Sequence, residues 1–419
     1  MGDVAIVGGG IAGLIAAAAL ARRGLRPVVF EAAPELGGRA QTRIVDGFCF
    51  NQGPHALYLA GALKAALDDL SLSAPGGGPR LSDGLALWGD ETHPLPVGPR
   101  EGNIAPPLGA ANTRCLAETF ARIGSGDYGG PGRPLRAFTA GLPREVGAVI
   151  EALIRNSTYS HAPEEIDAKA ALDQLRLGYR GVSYVDGGWR TLITGLANAA
   201  ATAGADLRRE QPIVALRRER ERWLVEAAGQ VAERFEAVIM AASPEVARQL
   251  VSNSAEVTAA ALAAQPVRAM TLDLGLETVG PGATYALGID APVYLSLHSV
   301  AAQLAPTGAG LLHLSRFLAP DEAPDAAHFG ELERLADRVK PGWRERVARR
   351  QRLVGITVAH DFPRWRRSGR RAQVAVADAP GLFLAGDWVG DEGLLSDASA
   401  ASATLAAHEA STFLAGVPA

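Results

Sequence analysis

The chain has 419 residues, nearly half of them hydrophobic, and a net charge of −4. That length allows two or three domains around a substantial core, and the near-neutral charge argues against nucleic-acid binding. Cys49 and Cys115 are the only cysteines and form no CxxC pair, which argues against a disulfide framework or a metal site and makes a reducing, cytoplasmic setting the expectation.

The chain opens on an apolar strand, Val4–Val7, too short and too directly followed by glycines to be a signal peptide. Gly8, Gly10 and Gly13 then satisfy GxGxxG, with Ile11 and Ala12 opening a helix. Gly8 permits a tight turn, Gly10 lets backbone approach a pyrophosphate, and Gly13 lets the helix pack on the strand. The helix N-terminus supplies free N–H groups to the phosphate. Glu31 closes a second strand, Pro27–Phe30, where an acid can accept hydrogen bonds from an adenosine ribose. Strand, turn, helix and distal acid in register imply a bound dinucleotide.

The next segment indicates which dinucleotide. Residues 35–42 read ELGGRAQT, with Gly37 and Gly38 allowing a second close backbone approach and Arg39 adding a cation. This resembles the GGRxxT element of the flavin amine oxidase superfamily, which includes phytoene desaturases, protoporphyrinogen oxidases and amine oxidases. Near the other end, residues 381–387 (GLFLAGD) resemble the superfamily's strand ending in Gly386-Asp387, where the acid would hold the ribityl chain. A helix cap or turn residue is the lesser alternative for Asp387. The small-residue stretch 394–414 resembles the closing helix, whose N-terminus, at Leu394 and Leu395, would face the flavin pyrimidine. The resemblance implies FAD, held non-covalently, since no cysteine follows Cys115.

It also implies an α/β fold: a discontinuous Rossmann-type FAD-binding domain with an inserted α+β substrate domain. We assign 1–80, 185–264 and 345–419 to the first, and 81–184 and 265–344 to the second. Pro/Gly-rich loops punctuate 74–109 and 124–134, and helices are expected over 143–157 and 164–177. By resemblance, a strand over 211–216 brings backbone near Val214 to the adenine. Substrate-domain strands are expected at 269–276, 293–300 and 311–317. The alternating charges of 217–222 read as a solvated hairpin. The arginines of 344–352 read as a solvated helix face, with peripheral contact to anionic lipid as the alternative. No apolar run reaches the roughly 18 residues of a membrane span.

Residues 48–57 (FCFNQGPHAL) occupy the position of a strand and turn beside the flavin. Gly53 and Pro54 match the turn, and Asn51 stands where relatives usually have an acid. His55 is the candidate catalytic group, able to exchange a proton near neutral pH; a turn histidine bonded to its own backbone is the equal alternative. The three lysines, Lys64, Lys169 and Lys340, fall on none of the strands between 269 and 317, where amine oxidases of the superfamily usually place one. Leu394 and Leu395 stand where an aromatic would flank an amine. The expected reaction is hydride abstraction by flavin from a C–H bond of an apolar, isoprenoid- or carotenoid-like small molecule, with oxygen or a quinone as electron acceptor. Amine oxidation and protoporphyrinogen oxidation are the alternatives. Non-catalytic isoprenoid binding of the GDP-dissociation-inhibitor type is a third.

Overall fold

The computed structural model describes residues 2–95 and 108–416; the Pro/Gly-rich stretch 96–107 lies outside the described residues. Five parallel strands form the first sheet, in the order Asp206–Arg208, Pro27–Phe30, Val4–Val7, Ala237–Met240, Leu382–Leu384. Four of them are buried at every position (VAIV, PVVF, AVIM and LFL), the continuous apolar pattern of a parallel sheet covered on both faces. The helix Ile11–Arg22 is apolar almost all round and packs against both Arg190–Thr202 and the closing helix, Leu395–Leu414.

A second, seven-stranded sheet runs in the order Val347–Ala359, Val267–Leu276, Gly310–Phe317, Val293–Leu297, Tyr285–Gly288, Leu85–Trp88, Glu91–Pro94. Helix His328–Val339 covers one face, and the helices Gly109–Ser125, Arg144–Thr158 and Ala168–Tyr179 cover the other. Three sequence expectations change here. The strand Val347–Ala359 pairs along Val267–Leu276, so the chain leaves the substrate-side sheet only after 359, not at the expected boundary of 344. The helix expected from 164 starts at Ala168, because Asp167 caps it by accepting from the Ala170 N–H. The strand expected over 293–300 ends at Leu297, where a 3₁₀ turn, His298–Val300, carries His298 inward.

The basic run 344–352 is mostly strand, and four of its five arginines are ion-paired, Arg346 instead donating to the Pro341 carbonyl. Arg344, Arg350 and Arg352 converge on Glu333, and Arg349 meets Asp46. The charged hairpin forms as expected, turning at Arg220 between Ile213–Glu219 and Arg222–Ala227. Among the described residues no helix is long and apolar enough to cross a membrane.

Asp397, in the first turn of the closing helix, reaches across to a second helix and accepts from the Leu63 N–H at 2.9 Å. Gly61 leaves the space it occupies, since a Cβ there would lie 2.3 Å from the carboxylate oxygens. Its other oxygen, Oδ2, is buried without a partner, and burial pushes the carboxyl up to about 6 from its ordinary 3.8. A carboxyl raised on folding binds more protons folded than unfolded between about pH 4 and 6, so its contribution to stability falls as pH rises through that window. Asp397→Asn keeps the acceptor for Leu63 and removes the buried charge. It is expected to raise stability at pH 7.5 by about 2 kcal/mol and to change it little at pH 4, as read by denaturant unfolding at the two pH values.

Candidate active site: a cofactor cleft joined to a tyrosine-lined cavity

A cleft of about 540 Å³ runs along the carboxyl ends of the parallel strands, where open α/β sheets bind their ligands. Gly8, Gly10, Ile11, Ala12 and Glu31 line one stretch. Gly37, Gly38, Arg39, Pro54 and His55 line another, with Gly386, Asp387 and Leu395 completing it. Gly8 has φ +109°, and a Cβ would fall 2.6 Å from the Ala241 carbonyl. Gly10 differs: its backbone is extended, and a Cβ would meet nothing closer than 3.8 Å. The space before it belongs to the cleft. No side chain caps the helix that starts at Ile11 and no acid sits in its first turn, which leaves its N–H groups facing the cleft. Glu31 already accepts from the N–H groups of Gly9 and Ala33, both at 2.8 Å, and this fixes its carboxylate at the cleft wall.

The two distant motifs meet directly. Arg39 Nη1 donates to Asp387 Oδ2 at 2.7 Å and to the Val358 carbonyl at 2.8 Å. His360 donates to the same carboxylate through its backbone N–H and through Nδ1, each at 3.1 Å. These positive and hydrogen-bonding partners hold the buried Asp387 carboxyl well below the usual carboxylate range, against a large burial cost. Ser402, one helical turn behind Ser399, accepts from the Gly386 N–H at 2.9 Å and so ties the closing helix to this turn.

Four expected site residues do not line the cleft. Gly13 lies behind it, packed on the strand-to-helix turn. Gly53 (φ +103°) forms the turn that presents Pro54 and His55. The Val214 side chain points to solvent, 53 % exposed, because strand alternation turns Ile213, with Pro212, toward the cleft. Leu394 is a buried residue preceding the helix, with Leu395 carrying the contact.

His55 is half-buried, with Nδ1 2.9 Å from the Gly53 carbonyl and its ring 4.6 Å from that of Trp189. The carbonyl fixes the proton on Nδ1. Burial pushes the imidazole down to about 4, so the expectation of titration near neutral pH gives way to a neutral ring. Asn51, in place of the usual acid, accepts from the Thr42 hydroxyl and from the backbone N–H of Trp189, which fixes the chain that carries that indole.

Sequence reasoning missed the other side of His55. His55, Pro54, Ala56 and Tyr159 line the cofactor cleft and also a second, inner cavity of about 130 Å³. Tyr159 ends its helix with φ +57°, and Leu395 opens the closing helix with φ +56°. Both are bulky side chains in a left-handed backbone, a conformation that costs roughly 1–3 kcal/mol and clusters at functional sites; each faces the cleft. Six of the seven tyrosines in the chain surround the inner cavity: Tyr58, Tyr159, Tyr179, Tyr184, Tyr285 and Tyr294. Tyr179, 44 % exposed, marks its outer end, with Pro79 and Leu81.

Residues 6–70 match the family of NAD(P)-binding Rossmann-like domains, and residues 151–280 match that of flavin containing amine oxidoreductases. Coproporphyrinogen III oxidase of Propionibacterium freudenreichii is 41% identical over 99 residues, 22% of this chain and 18% of that protein. The 4,4'-diapophytoene desaturase of Staphylococcus haemolyticus is 38% identical over 66 residues, 16% of this chain and 13% of that protein. The chain thus spans less than a fifth of either relative's length. The fold matches over its whole extent that of an oxidoreductase from Methanosarcina mazei, with TM-score 0.77 at 17% identity, covering 97% of this chain and 100% of the other. The open niche before Gly10, the uncapped helix and the Arg39–Asp387 pair fit FAD. Residues 151–280 thus place this chain beside the flavin containing amine oxidoreductases, and FAD is the cofactor that its cleft fits.

Proposed function

We propose that the protein is an FAD-dependent oxidoreductase acting on a C–H bond of an uncharged, mostly apolar substrate held in the inner cavity. The observation that carries this reading is the junction of cleft and cavity at His55 and Tyr159. FAD, when bound, supplies a two-electron acceptor for a hydride. The N–H groups of the first helix, with Arg39, would hold its pyrophosphate, Glu31 its adenosine ribose and Asp387 its ribityl chain. The N-terminus of the closing helix would lie at the pyrimidine.

The protein's other tasks are to orient the substrate and exclude water. No Asp, Glu, Lys or Arg lines the inner cavity among the described residues. Its two imidazoles are held neutral by burial, His55 near 4 and His298 well below its ordinary value. Charge-free walls suit an apolar molecule, the isoprenoid-like class expected from the sequence, and the volume suits a compact one or one end of a longer chain. His55, neutral and with its proton held on Nδ1, serves as a positioning or proton-accepting group at the junction.

Amine oxidation is the second reading, because tyrosine ring faces also attract a cation. Anaerobic titration with a terpenoid panel and an amine panel separates the two: bleaching of the flavin band by a terpenoid supports the first reading, and bleaching by amines alone overturns it. His55→Ala is expected to retain FAD and to lower the single-turnover reduction rate by 10²-fold or more, within the range typical of general acid–base groups. Unchanged reduction kinetics would return His55 to a structural role.

A further inference from the structure

Three of the six tyrosine hydroxyls around the inner cavity are committed to neighbouring groups. Tyr184 shares hydrogen bonds with Tyr294 at 2.9 Å and Ser296 at 3.1 Å, and Tyr58 donates to the Ser157 carbonyl at 2.6 Å. Asn156 stands apart for a buried acceptor. Its Nδ2 donates to the Tyr285 hydroxyl at 2.9 Å, but its Oδ1 is buried with no partner. A buried carbonyl oxygen left unpaired costs about 1–3 kcal/mol, and such groups in a native structure call for an explanation. The Tyr285 hydroxyl, accepting from Asn156, keeps its own proton to donate. One acceptor and one donor therefore stand side by side on a wall without Asp, Glu, Lys or Arg among the described residues.

We infer that Asn156 and Tyr285 form a hydroxyl-recognition pair and that the inner cavity takes an uncharged, single-ring substrate bearing a hydroxyl group. A hydroxyl both donates and accepts, so it satisfies both members of the pair. The volume supports one ring: about 130 Å³ is close to the roughly 150 Å³ of an engineered apolar cavity that binds benzene. The six tyrosine faces around it favour edge and offset contacts with a ring. A carboxylate or an ammonium group finds no countercharge among the described lining residues. The inference deepens the proposed function by naming the substrate class of the same cavity.

The test is calorimetric titration of the purified protein with p-cresol, toluene and p-toluate, with FAD content measured on the same sample. These probes share a ring and differ in carrying a hydroxyl, no polar group, or a charge. p-Cresol is expected to bind at least tenfold more tightly than either of the others. Asn156→Leu is expected to abolish its advantage over toluene, and the near-isosteric Tyr285→Phe to reduce it several-fold, which keeps the test decisive if the first variant does not fold. Equal binding of p-cresol and toluene, or tighter binding of p-toluate, would overturn the inference, as would an advantage that survives in both variants. Binding is read without turnover, so a protein that selects p-cresol but retains no FAD refutes the oxidoreductase reading and leaves the cavity assignment standing. A flavin-loaded protein indifferent to p-cresol does the reverse.

Discussion

Replacing Gly13 with alanine is expected to lower Tm and FAD retention together, whereas Gly10→Val should strip the FAD and leave the Tm of the flavin-free protein nearly unchanged. The two glycines belong to one motif but do different work. A Cβ on Gly13 would sit 1.9 Å from the carbonyl oxygen of Gly8, backbone against backbone, with no flexible side chain to move aside. The helix would have to lift from the strand-to-helix turn, and the turn is itself fixed by Gly8 at φ +109° against the Ala241 carbonyl. Overpacking of ordinary core sites costs about 1–3 kcal/mol, and a backbone clash this close should reach or exceed that range. Gly10 sits in extended backbone with open space before it, so a Cβ there meets no protein atom closer than 3.8 Å and the added side chain enters the place of the ligand. Because FAD itself raises Tm by mass action, the comparison is made on flavin-free samples, with flavin content measured separately by absorbance after gel filtration. A Gly13→Ala protein with unchanged Tm would mean the helix is not seated on the turn as described. Full flavin in Gly10→Val would move the cofactor away from this turn.

The legible parts of this protein are those set by backbone chemistry. Glycines with a steric duty, an apolar parallel strand and an uncapped helix are local features, so the Rossmann unit and the two FAD motifs can be read from short segments. Even the meeting of Arg39 and Asp387, 348 residues apart in sequence, is implied once both segments point to one ligand. The strand at 347–359 escapes such a reading because its arginines suggest a solvated helix face; their partners, Glu333 and Asp46, come from distant elements. The Val214 side chain faces solvent while its neighbour Ile213 lines the cleft, the face exchange that one residue makes in a strand. The tyrosine cavity is illegible for a different reason. Its six rings come from separate strands and helices between residues 58 and 294, each an ordinary core aromatic in its own segment. Only the positive φ at Tyr159, invisible in sequence, marks one of them as unusual.

Asp387→Asn is the substitution that should separate the cofactor site from the surrounding fold most sharply. The carboxylate is 2 % exposed and receives three hydrogen bonds from His360 and Arg39. An asparagine of the same shape offers one acceptor oxygen and turns an N–H₂ group toward one set of donors, leaving Arg39 or His360 facing another donor. Breaking one partner of a buried pair costs about 3–5 kcal/mol; with the Arg39 side chain 39 % exposed to solvent, the lower end applies. FAD retention is expected to drop at least tenfold, because the wall that spaces Gly386 from Arg39 is lost. The pH dependence gives a second, independent signature. A carboxyl held below its unfolded value contributes stability that is present above about pH 4 and is lost as pH falls through the lower, folded value. Wild type should therefore lose stability as pH falls below about 4, and Asp387→Asn, which keeps the other lowered carboxyls Asp3, Glu245, Glu333, Asp337 and Asp378, should lose less. Asp397 acts with the opposite sign between about pH 4 and 6, so the double variant Asp387→Asn/Asp397→Asn should have the flattest stability profile of the four proteins. Denaturant unfolding across pH 3–8 measures this directly. If Asp387→Asn keeps its flavin and lies within about 1 kcal/mol of wild type at pH 7, below the range for a buried pair, the Arg39–Asp387 bridge is not what closes the cofactor site.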